Sequence, residues 1–344
     1  MTTHVHFVGS IGLDTVDDVF GAVGAELKSR LKRCPDGEVG GRRLWITWQW
    51  PLLRSSPYLQ VDEQRLIPGL GLCQLRLGAG ARAEDVAFGE LGYAREARAS
   101  YQDFLAARAR GQIAPDTRFQ VSLPTPFAVV QAFVVPEDAA RVLPAYEAAM
   151  LRELARLATS IPQADLAIQW DVCMEMLIWD GRTTYLPDVP DRERVFGATF
   201  ARLCGAVPAD VQLGVHLCYG DLDAEHAVQP ADLGKAVGLA NLLLQHSPRR
   251  IDWIHMPVPQ SRDDESYYVP LRDFRGHGTT EIYLGLVHAA DGTPGTLRRM
   301  RAAARHASGF GIATECGIAR ARRPELVRAI IHEHAAAAQA FDAQ

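Results

Sequence analysis

The chain has 344 residues, 48% of them hydrophobic and 22% charged, enough to bury the core of one large domain or two smaller ones. Its 36 basic and 41 acidic side chains leave a formal charge of −5, which offers no basic footprint for nucleic acid. The opening MTTHVHFVGSIG lacks the basic start and apolar core of a signal peptide, and the longest apolar run, PFAVVQAFVV, is too short to span a bilayer. Six cysteines without framework spacing fit reduced thiols, so a cytoplasmic protein without membrane association is expected. Assembly into a homo-oligomer is left open.

In chain order, β-branched runs at about 4–8, 31–35, 118–123, 165–170, 211–216, 251–256, 281–287 and 310–314 predict strands. Helical periodicity occupies about 14–30, 91–110, 137–159, 190–206, 230–246, 294–307 and 324–341. Thr293-Pro294 and Pro324 supply helix starts. Strands alternating with helices imply a parallel sheet with right-handed crossovers. Eight such units predict an α/β fold, a single (β/α)8 TIM barrel domain over 1–344. The stretch 36–117 is too long for one loop, and a helical insertion between strands 2 and 3 is expected there. Its Trp45, Trp48 and Trp50 either pack that insertion or form a lid.

In such a barrel the site lies at the C-terminal ends of the strands. Ser10 follows the first strand, Glu38 the second and Asp171 the fourth. His216 and Cys218 close the fifth, His255 lies on the sixth, His288 and Asp291 follow the seventh, and Glu315 and Cys316 follow the eighth. His216 and Cys218, two residues apart, can turn to one side, and Cys316 meets them across the closing seam. One imidazole and two thiolates make a soft site suited to Zn2+, with a fourth position open to water or substrate. The competing reading is a buried strand end with an inert cysteine.

The other candidates carry alternatives too. Asp171 pairs with a substrate ammonium or caps a helix; Ser10 presents its backbone to an anion or forms a plain turn. Glu38 binds substrate or pairs with Arg42 or Arg43. His255 and His288 are a ligand, a proton donor or simply hydrogen-bonded. Cys34, Cys73, Cys173 and Cys204 have no partner at metal spacing and read as structural, and His332 and His334 point to different sides of a helix.

Four motifs, GSIG at 9–12, IQWD at 168–171, HLCY at 216–219 and ECGIAR at 315–320, together resemble the catalytic C-terminal barrel of the cobalamin-independent methionine synthase superfamily. The resemblance implies that His216, Cys218 and Cys316 ligate zinc and that Asp171 contacts a substrate amino group, with Ser10 helping to hold an amino-acid substrate. It implies transfer of a methyl or other alkyl group from a small-molecule donor to a zinc-activated thiol. The family's histidine after the seventh strand is displaced here, with His288 two positions early and Asp291 just beyond as the candidates for its role. The chain departs from the pattern at IDWIHMPVP, which has no glutamate ligand in register and offers His255 instead. It also lacks the family's third-strand tryptophan, so a donor other than folate is expected. Two alternatives stay open: a non-catalytic metal-containing binding barrel, and an amidohydrolase-type hydrolase built on His4 and His6.

Overall fold

The computed structural model describes residues 2–183, 186, 188–221 and 226–344. Seven parallel strands form the main sheet: β1 (Arg33–Pro35), β4 (Arg118–Pro124), β5 (Leu166–Val172), β6 (Gln212–Leu217), β7 (Trp253–Pro257), β8 (Glu281–Val287) and β9 (Gly311–Thr314), paired in that order. Strands β5 to β9 are buried almost throughout, as expected where helices cover a parallel sheet. The sheet curls until Val5 makes single parallel bridges both to Leu31, next to β1, and to Ile312 in β9.

Residues 4–8, expected as a strand, therefore form isolated bridges rather than a ladder. Their backbone bonds run from Val5 N to Arg30 O, from His6 N to Ile312 O and from Ile312 N to His4 O. The two edge strands they meet are three and four residues long, which leaves little length to pair with.

Ten α-helices are present among the described residues. They are α1 (Val16–Leu27), α2 (Trp50–Arg54), α3 (Tyr93–Ala109), α4 (Pro126–Phe133), α5 (Pro136–Ser160), α6 (Met174–Asp180), α7 (Arg192–Gly205), α8 (Gly234–His246), α9 (Gly292–Ala303) and α10 (Pro324–Asp342). Pro324 opens α10 as expected, whereas α9 starts before Thr293, whose hydroxyl bonds the Glu333 carboxylate instead. Helix α4 arises within PFAVVQAFVV: Thr125 caps it by accepting from Ala128 N, and Pro126 takes its first turn.

Residues 36–117 are not purely helical, which corrects the expectation. Strands β2 (Leu59–Ile67) and β3 (Leu72–Leu77) pair antiparallel there, joined by a turn in which Gly69 and Gly71 both take positive φ. No described helix is long and apolar enough to cross a membrane.

Candidate metal centre

Strand register assembles the site. Pro124 pairs with Asp171, Asp171 with His216, and His216 with His255, so consecutive strands deliver these side chains to one face at one level. Cys218 leaves β6 two residues after His216, and Cys316 leaves β9 from the other side of the curled sheet. Ligand atoms of His216, Cys218 and Cys316 lie within 4.8 Å of one another, all three residues buried. Cys316 Sγ is 3.7 Å from Cys218 Sγ and 3.7 Å from His216 Nε2.

A chain of hydrogen bonds sets the protonation of His216. His255 Nε2 lies 3.0 Å from the carbonyl oxygen of Thr314, which only accepts, so His255 carries its proton there. Burial holds His255 neutral, its pKa pushed down to about 3, so its Nδ1 is a lone pair. His216 Nδ1, 2.7 Å away, must then donate to it. The remaining nitrogen, His216 Nε2, presents its lone pair to the two sulfurs, as a zinc ligand would. Burial, then neighbouring His255, keeps His216 well below the usual histidine range. Both thiols lie well above their usual range without a metal: Cys218 through its contact with the Cys173 thiol, Cys316 through Cys218 and burial. A doubly charged cation reverses that preference by binding the thiolates.

Carboxylates border this cluster. Burial raises Asp171 to about 7, opposed by hydrogen bonds from Gln169 and the Trp45 indole. Burial and the neighbouring Asp171 raise Glu38 to about 8. The Glu38 carboxyl packs on Gly9, where an added Cβ would sit 3.1 Å from Oε1. Arg42, which the sequence offered as a partner for Glu38, bonds Asp36 instead. Glu38 (φ 49°) and Trp45 (φ 55°) both hold left-handed backbone, a strain that concentrates at functional loops. All three tryptophans pack against the hydrophobic core; Trp45 also hydrogen-bonds Asp171, Trp48 packs on Tyr93 and Trp50 bonds the Cys73 carbonyl. Ser10 is buried between the two loops: its backbone bridges Gly37 and accepts from Ile318 N, and its side chain packs on Gly317.

His288 sits at the rim with Nε2 donating to the Val258 carbonyl at 2.9 Å and Nδ1 3.4 Å from Glu315 Oε2. Burial pushes His288 down to about 3 and Glu315 up to about 7, the latter opposed by the Arg322 guanidinium 3.2 Å from Oε1, so a neutral imidazole faces a carboxyl that titrates near neutral pH. Asp291 is not brought to the cluster. Both its oxygens are taken by the fully buried Arg299 guanidinium, at 2.7 and 2.8 Å. His6 bonds Gln169 and His4 faces the Arg30 carbonyl, so the two do not converge on His216.

Four neighbours were not picked out from the sequence. Arg320 lies 3.3 Å from Cys316 Sγ and from Asp221 Oδ2. His226, pushed down to about 4 by burial, has no partner for Nε2 among the described residues. Cys173, expected to be structural, lies against Cys218. Arg320, Asp221 and Cys173 had a sequence signal, each being within four residues of a quoted motif residue, whereas His226 had none.

No protein-family model matches the chain, and no curated protein does either. Two solved structures share its fold over essentially their full length. One is a protein from Listeria monocytogenes assigned to the vitamin-B12-independent methionine synthases, with 12% identity, 99% of each chain covered and a TM-score of 0.61. The other is a B12-independent methionine synthase from Shewanella sp. W3-18-1 in complex with selenomethionine, with 13% identity, 100% of this chain and 98% of that one covered, and a TM-score of 0.62. At that identity the likeness establishes the fold. The donor set itself, one neutral imidazole with an inward lone pair and two convergent thiols, fits zinc with a fourth position left for a further ligand.

Proposed function

We propose that this chain transfers a methyl or other alkyl group from a small-molecule donor to a small thiol, with His216, Cys218 and Cys316 holding Zn2+. The observation that carries the proposal is the convergence of those three ligand atoms within 4.8 Å, in a fold shared with methionine synthase-like proteins. We read the curled sheet with residues 4–8 as an eight-membered (β/α)8 barrel of one domain, its mouth formed by the strand ends that carry these residues.

Zinc bound there supplies Lewis acidity that keeps a coordinated thiol deprotonated near neutral pH. The chain's own residues do the rest. Glu38 and Asp171, paired carboxyls whose charge is unfavourable while the site is empty of cations, ionise on pairing with a substrate ammonium. That chemistry suits an α-amino thiol, and the Shewanella protein's selenomethionine is an amino acid with a methylated chalcogen. Ser10 closes the pocket between the Glu38 and Cys316 loops. Glu315, raised to about 7 beside the neutral His288, is the group in this scheme that gives a proton to the leaving group. Asp291, tied to Arg299, has a structural role in this scheme.

The test is metal content set against turnover. The purified protein is expected to hold about one zinc, and Cys218→Ala or Cys316→Ala to abolish both zinc and alkyl transfer to thiols. Full activity of zinc-free protein would overturn the proposal.

A further inference from the structure

Arg320 is a cation in direct contact with a proposed metal ligand, and the alkyl transfer just described makes no use of it. Its side chain is only 10% exposed. Nη2 lies 3.3 Å from both Cys316 Sγ and Asp221 Oδ2, and Nε has no partner among the described residues. Burying a guanidinium costs several kcal/mol unless opposite charge and hydrogen bonds offset it. Asp221 supplies one such charge. The other partner is a sulfur, and a neutral thiol is a weak acceptor, whereas a thiolate accepts a charge-assisted bond. Arg320 therefore complements Cys316 in its ionised, ligating form.

The two ligand sulfurs differ in their surroundings. Cys218 touches the thiols of Cys316, at 3.7 Å, and of the adjacent Cys173, and feels the Arg320 charge only through space. Cys316 alone receives a hydrogen bond from a full positive charge. In a centre holding two protein thiolates and a substrate thiolate, every sulfur competes for the same alkyl donor. A guanidinium N–H directed at a sulfur lone pair lowers that sulfur's nucleophilicity.

We propose that Arg320 is a positioning residue that guards Cys316: its buried hydrogen bond to Sγ steers alkylation to the substrate's sulfur and spares the ligand. The proposal rests on the zinc–thiol reading. In the productive step, an electron pair of the substrate sulfur forms the new C–S bond as the donor's bond to the alkyl carbon breaks. The leaving group departs with that bonding pair and takes up a proton. In the diverted step Cys316 Sγ forms the C–S bond instead, and the centre loses a ligand.

The experiment treats zinc-loaded protein with iodoacetamide, follows modification of each cysteine by peptide mass spectrometry and counts bound zinc in parallel. Arg320→Met and Arg320→Gln both remove the charge, the second keeping a polar side chain should the first fail to fold. In either variant, with zinc retained, Cys316 is expected to be alkylated at least about fivefold faster than in the unmodified chain while Cys218 changes little. Zinc loss should then track Cys316 modification. A folded, zinc-loaded variant whose Cys316 reacts at the original rate overturns the guarding role and leaves the zinc site standing. An unmodified chain that binds no zinc overturns both.

Discussion

At the scale of single residues, the decisive arrangement is the relay from Thr314 O through His255 to His216. A histidine ligates through only one nitrogen, and the bond made by the other decides which. His255 stands in register beside His216 because the two are direct cross-strand partners. It serves as the acceptor that fixes the tautomer rather than as a fourth ligand: Nδ1 is engaged by His216 and Nε2 by Thr314. His255→Ala removes the acceptor and is expected to weaken zinc binding about 10–100-fold, measured by chelator competition. His255→Gln, whose carbonyl can still accept from His216 Nδ1, should retain most of the affinity. Equal affinities in all three proteins would rule out the relay. The His-x-Cys motif was readable because the spacing of two on a strand is itself geometric information. The Thr314 carbonyl was not, since backbone acceptors leave no mark in the residue code.

At the scale of elements, the strands β4 to β9 were legible to within two residues at each end, because continuous β-branched runs between turn signals have few other uses. Helices α4 and α6 were not. PFAVVQAF is apolar on all sides, which erases the 3.6-residue period, and α6 is only seven residues long. The hairpin of β2 and β3 was hidden by charged residues on its exposed side. Packing between β6 and β7 also lies beyond periodicity. Gly214 pairs with Trp253, and a Cβ on Gly214 would fall 1.8 Å from the indole. The ring has no room to move, being fully buried beneath the Arg33 guanidinium at 4.1 Å, with its N–H 3.4 Å from Gln169. Gly214→Ala is therefore expected to cost about 1–3 kcal/mol by overpacking, read from urea unfolding. Since His216 lies one position further along the same face, zinc affinity should fall with it. A variant as stable as the parent would mean that the indole can repack.

For the molecule as a whole, the curled sheet collects ionisable groups whose burial sets a definite pH response. Glu38 is raised to about 8, and Asp171, Glu175 and Glu315 to about 7, in each case chiefly by burial. A carboxyl raised in the folded state binds its proton more tightly there than in the unfolded chain. Its stabilising contribution is complete below the unfolded value near 4 and is lost as pH rises through the folded value. The buried histidines act in the opposite sense. His255 and His288, lowered to about 3, and His226 and His334, lowered to about 4, contribute stability above the unfolded value near 6.5 and lose it as pH falls. Above about pH 6.5 the histidine contribution no longer changes, and only the carboxyls act. The melting temperature of the metal-free, ligand-free protein is thus expected to decline from about pH 6.5 to about pH 8 in scanning calorimetry. Asp171→Asn removes one of the four carboxyls and should both flatten that decline and raise the melting temperature at the alkaline end. An ammonium-bearing ligand should do likewise, because it stabilises the ionised pair that the empty site disfavours. A melting temperature that climbs over this interval would mean that Glu38 and Asp171 are already ionised, and that the pocket is not preset for a cation.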